Sequence, residues 1–274
     1  MGEPVELWVL LAGIVRGFLY AAMLLAAGSA LYLLMLVRRD AVAARVGQWS
    51  AAGAAVLYAL AVGSGGAAML GGGAGVIFTL PAWSFGADSS VGVSAAIGIP
   101  AMLMLLAGFA RAHAAALGAG AGAAIISFLV TGHAALAEPV ALSTPMVALH
   151  LAGGAFWLGA LIPLRAAGDA ALLTRFSARA VWAVALIVLS GVGVAVVQVT
   201  RWDALAATDY GVRLLWKLGF VAALITVAAF NRFVLLPKAK TAVIARTIVV
   251  ELVLFAFILA IAASLTMVPP PRSI

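Results

Sequence analysis

His150 sits in the run LHLAGGAFWLGALIPL, residues 149–164, where every other residue is apolar, glycine or proline. Met146 lies four residues before it and Trp157 seven after it, so all three share one face of a helix. Gly153 and Gly154 leave space beside that face. An imidazole and a thioether one turn apart suit copper, because a thioether favours Cu(I) and an imidazole accepts either copper state. The competing reading is a histidine that only hydrogen-bonds a neighbouring helix.

The chain has 3 histidines in all. His133, in VTGHAALAEP, falls near the end of the preceding apolar stretch. A short connection makes the two stretches antiparallel neighbours, so both histidines lie in the outer half of one hairpin. A shared metal would need a tilt or an unwound helix end. His113 stands beside Arg111 in a polar turn and reads as a solvated interfacial histidine, or as a ligand on the exit side.

Glu251 opens the last apolar stretch. It would pair with Arg246, Arg232 or Lys238, take a proton, or hold a cation leaving the bundle. Arg16 and Lys217 lie a turn or two inside the outer ends of their stretches. They would snorkel to headgroups, pair with Asp203 or Asp209, or bind an anion; neither suits contact with a bare metal cation. Apart from Met146 the methionines are scattered and read as packing. No catalytic constellation appears, so the chain reads as a non-enzyme.

These residues need elements that live in lipid. Of 274 residues, 66% are hydrophobic and only 9% charged, against about a quarter charged in soluble domains. There is no cysteine, which removes thiolate metal sites and disulfides. The start, MGEPVELW, is acidic, so the following apolar run reads as an uncleaved first helix rather than a signal peptide.

The expected fold is an all-α polytopic helix bundle, one transmembrane domain over 1–274. A crossing needs about 20 apolar residues. Eight stretches qualify: 7–37, 46–70, 90–110, 114–136, 142–164, 178–199, 212–236 and 246–268. Residues 71–89 read as a loop at the membrane surface, interrupted by Pro81, Gly86 and Asp88, with Trp83 at the interface. On these boundaries His150 lies roughly 12 Å deep, at 1.5 Å per residue.

The net charge is +7, with 16 lysines and arginines. Most of them fall in alternate connections, at Arg38, Arg39, Arg45, Arg111, Arg165, Arg175, Arg179, Arg232, Lys238, Lys240 and Arg246. The intervening connections hold Glu3, Glu6, Asp88, Glu138, Asp203 and Asp209. The positive-inside rule then places both termini in the periplasm and accounts for the charge without nucleic acid. Gly118 and Gly122 have GxxxG spacing, which suits close helix approach; a general bias toward alanine and glycine gives the same pattern.

The run TGHAALAEP, followed by LHLAGGAFWLGALIPL, resembles the copper resistance protein D (CopD) family. TDYGVRLLWKLGFVAALITVAAFNRFVLLPK and VELVLFAFILAIAASLTMVPPPR look like that family's last two helices, and the resemblance covers roughly 131–271. The pattern of His150, Trp157, Leu158 and Gly159 is its most specific part. The resemblance implies a multi-pass protein of the bacterial cytoplasmic (inner) membrane that moves copper inward. It also implies a separate periplasmic CopC-like copper carrier as partner. Ligand roles for His133, His150 and Met146 are an inference from matched position and plausible chemistry. Two alternatives stay open. One is a haem b electron-transfer protein, with histidines as axial ligands and Arg16 and Lys217 on the propionates. The other is a docking partner for the carrier that transports nothing.

Overall fold

The computed structural model describes residues 7–71, 73–131, 137–199 and 202–268. Among the described residues there are nine α-helices and no strand. They are α1 (Leu7–Met35), α2 (Ala41–Leu70), α3 (Leu80–Ala87), α4 (Ser90–Arg111), α5 (Ala114–Leu129), α6 (Val140–Ala167), α7 (Ala170–Gln198), α8 (Asp209–Phe230) and α9 (Thr241–Leu265). Seven are long and apolar enough to cross a bilayer, taking α8 with its continuation to Lys238. The chain is an all-α, multi-pass membrane bundle whose outer surface meets lipid. Trp49, Trp182, Leu189 and Trp216 project outward from it, the reverse of a soluble fold.

The expected fourth span, 114–136, is shorter in the structure. Helix α5 has 16 residues, about 24 Å at 1.5 Å per residue against a hydrocarbon core of about 30 Å. Residues 132–136 lie outside the described residues. Seven long helices and one short one therefore stand where eight spans were expected.

Residues 71–89 also depart from expectation. They form a 3-10 turn (Ala74–Phe78) and then α3, rather than a loop. Pro81 had been counted as an interruption, but it falls in the first turn of α3, where a missing N–H leaves no bond unmade. The Trp83 indole N–H donates to the Ile77 carbonyl at 2.8 Å. Gly66 and Gly86 let α3 lie directly on α2: a Cβ at either would run into the backbone of the other helix.

Turns at the basic end are closed by local chemistry. Asp40 accepts from the Val42 and Ala43 N–H groups, both at 2.9 Å, and so caps α2. Asp169 caps α7 in the same way. Gly168 ends α6 with φ of 59°, the left-handed conformation that glycine takes without strain. At the opposite end the first turns of α1 lie beside the end of α9. Arg16 Nη1 donates to Thr266 Oγ1 at 3.2 Å, and Gly13 faces the Met267 thioether.

The tightest crossing near the bundle centre joins α1 and α6. A Cβ at Gly28 would run into the Ala155 carbonyl, and one at Gly159 into the Gly28 backbone. The expected GxxxG pair does not play this part: Gly118 has ordinary contact with Leu34, and nothing lies within 4 Å of a Cβ at Gly122. Helix α7 packs along α6 and α8 packs along α9, but α7 and α8 do not pack along each other.

Candidate functional site

Helix α6 carries the residues singled out first. The His150 Nδ1 lies 2.9 Å from the Ile187 carbonyl oxygen of α7. A carbonyl can only accept, so Nδ1 carries the proton and donates. The neutral ring then presents a free lone pair at Nε2. Nε2 has no hydrogen-bond partner among the described residues. Ser190 Oγ is 3.4 Å from Nδ1 and donates to the Leu186 carbonyl. An imidazole whose Nδ1–H is held by a carbonyl is oriented as metal-binding histidines are.

Two glycines of α7 receive this face. A Cβ at Gly191 would lie 3.0 Å from His150 Cε1, and one at Gly193 would lie 2.6 Å from the Met146 sulfur. The imidazole and the thioether therefore settle side by side along α7, as their four-residue spacing predicts. Lys217 of α8 lies in the neighbourhood of His150. His133 lies outside the described residues, so whether the two histidines share an ion is not part of this geometry. Among the described residues no three His, Asp or Glu side chains converge on a cation site.

His113 is the N-cap of α5. Its Nδ1 accepts from the Ala116 N–H at 3.2 Å, and the residue is exposed. The turn thus employs it as a helix cap. Arg16 is held at Thr266, not at an aspartate.

Glu251 differs most from expectation. Helix α9 begins at Thr241, so Glu251 lies nearly three turns inside it, about 15 Å from the basic end. It is 4% exposed. The expected arginine or lysine partners are not its partners. The Trp157 indole N–H donates to Oε2 at 3.0 Å, and the Asn231 amide donates to Oε1 at 2.6 Å. Thr247 Oγ1 in turn donates to Asn231 Oδ1 at 2.6 Å, which fixes which way the amide points. Arg232 instead reaches Ser177 on α7, donating to its carbonyl and its hydroxyl.

Asn231 and Arg232 lie in a π-helical turn, Asn231–Leu235, that continues α8. Such wide turns are rare and occur often at functional sites. The Leu236 N–H bonds back to the Asn231 carbonyl. Neighbouring side chains are thereby aimed apart, Asn231 toward α9 and Arg232 toward α7. A cavity of about 290 Å³ lies here, with Trp157, Phe176, Ser177, Asn231, Arg232 and Glu251 in its wall.

Sequence reading named Glu251 and placed Asn231 near the same face, but gave the carboxylate cationic partners and missed its bond to Trp157. Asn231 was the legible signal, an amide inside AAFNRFVLL. The pair Gly191 and Gly193 was the corresponding signal for the slots opposite His150 and Met146. We expect Asn231→Leu to destabilise the fold by about 2–3 kcal/mol, since it removes the amide that donates to the buried Glu251 carboxyl group, while Thr247 can turn its hydroxyl to the Ile244 carbonyl. Thermal unfolding in lipid nanodiscs would read this as a lowered midpoint, with lipid-facing Val249→Leu as the unchanged control.

Fold and geometry together define a polytopic helical membrane protein with polar and titratable groups enclosed between its spans. Residues 170–265 match the family model for copper resistance protein D, and this supports the CopD family, one of membrane copper-resistance proteins. The match runs from α7 through α9, so it includes Glu251 and the glycines opposite His150 but begins after α6. No curated protein and no solved structure matches the chain.

Proposed function

We propose that this protein handles copper in the bacterial inner membrane, binding it in the periplasmic half of the bundle and importing it to the cytoplasm. The observation that carries the reading is the His150 imidazole, with Nδ1 engaged by the Ile187 carbonyl and Nε2 left free. Met146, one turn outward along the same groove of α7, supplies a soft sulfur. His133 is the third proposed ligand, and a periplasmic CopC-like carrier is the proposed source of the ion. The basic turns face the cytoplasm in this reading. The membrane potential then favours inward movement of a cation by about 2.3 kcal/mol per charge per 100 mV.

The test is made on purified protein and on vesicles. Metal-free protein should be colourless and take up copper stoichiometrically, and vesicles containing it should accumulate copper faster than empty ones. A Soret band would replace this reading with haem b, placing Arg16 and Lys217 at the propionates. Binding without uptake would leave a docking partner for the carrier.

A further inference from the structure

We propose that Glu251 is a proton-exchange site, loaded and unloaded through the half-open cavity lined by α6, α7, α8 with its π turn, and α9. A carboxylate buried this deep in a membrane bundle usually has an adjacent cation or a functional reason to do without one. Here both oxygens accept from neutral donors, the Trp157 indole and the Asn231 amide. Those two N–H groups hold the anion, while the apolar walls favour the neutral acid. The group can therefore exist in either state at the same place.

The cavity supplies the proton's route. At about 290 Å³ it exceeds the roughly 10–15 Å³ that one water needs, and Ser177, Asn231, Arg232 and Glu251 supply polar partners in an otherwise apolar wall. The step is a simple transfer: hydronium in the cavity gives a proton to a Glu251 oxygen, leaving carboxylic acid and water, and the reverse releases it. No other reactant is needed. Thr247 keeps the Asn231 amide facing Glu251 by donating to its oxygen, so the donor cannot turn away when the charge changes.

The charged groups around this position are few. Helix α1 offers Arg16, held at Thr266 at the far end. Helix α6 offers His150, turned to α7, and Arg165, which donates to the Ala245 carbonyl near the basic end. Helix α8 offers Asp209, Arg213 and Lys217, all in its first turns away from the cavity, with Arg213 on the Ser264 carbonyl. Helix α7 offers the exposed Arg175 and Arg179, the latter donating to the Arg175 carbonyl, and α9 itself adds the exposed Arg246. Of all these elements only the π turn brings a cation to the cavity wall, Arg232, and it is tied to Ser177. It stands at the wall as a fixed positive charge and not as the partner of Glu251.

The test is infrared difference spectroscopy on the full chain in nanodiscs, free of copper, between acid and alkaline buffer. The expected result is one carboxylic C=O band per chain at the position of an acid shielded from water, lost in Glu251→Gln. Chains carrying ¹³C-labelled glutamate provide a second readout in the unaltered protein: the same band should move to lower frequency. If the shielded band is absent, or persists in Glu251→Gln, or ignores the glutamate label, the proposal is wrong. Because no copper is present, this outcome is independent of whether His150 binds copper.

Discussion

If the proposed site is right, His150→Ala is expected to abolish high-affinity copper binding, with a loss of more than about 100-fold, while the helical fold survives. The magnitude follows from the role assigned to Nε2, since even disturbing a group that merely orients a metal ligand costs about 10–100-fold in affinity. Survival of the fold follows from what the imidazole holds. It supplies one hydrogen bond to α7, worth about 1 kcal/mol, and the Ile187 carbonyl remains part of the α7 helical backbone without it. Titration with Cu(I) and Cu(II), alongside circular dichroism, separates the two effects. Met146→Leu should weaken Cu(I) more than Cu(II), because the lost donor is soft. Lys217 gives the opposite sign. A charged lysine near His150 would oppose a bare cation, so Lys217→Met should tighten binding. Unchanged copper affinity in His150→Ala would leave that histidine as a helix-to-helix hydrogen bond only.

Gly159→Leu is expected to prevent normal assembly. Overpacking a core typically costs about 1–3 kcal/mol, and more where neighbours cannot give way. At Gly159 the neighbour is the backbone of α1 at Gly28 and Ser29, so no side chain can rotate aside. The cost falls at or above the upper end of that range, and yield of monodisperse protein and the unfolding midpoint should both drop. Gly122→Ala is the matched control, because nothing lies within 4 Å of its new methyl group. Equal behaviour of the two variants would contradict the α1–α6 crossing.

The bundle was legible because apolar runs long enough to cross a bilayer say so directly, and the basic turns mark one end. Element edges were less so. Arg246 looked like part of a polar connection, yet α9 continues through it with its side chain exposed. That single boundary moved Glu251 from the rim to the interior and changed its partners. Pro81 misled for a related reason: a proline ends a helix only when it falls beyond the first turn. The His150 and Met146 face was readable from periodicity alone. Its partner was not, since the Ile187 group that matters is a main-chain carbonyl and carries no signature in the side-chain alphabet. Gly118 and Gly122 show the converse, a motif spacing with no close crossing behind it.

The glycine crossing also has a mechanical meaning. Gly159 is pinned to α1, and Trp157, two residues before it, reaches Glu251 on α9. Helix α6 therefore meets α1 backbone to backbone at Ala155 and Gly159, with the Trp157 indole between these two contacts in sequence and bonded to α9. His150 lies on the same rod about two turns further outward, on the same side of Gly159, so a tilt of α6 about that glycine would carry both side chains the same way and His150 the further.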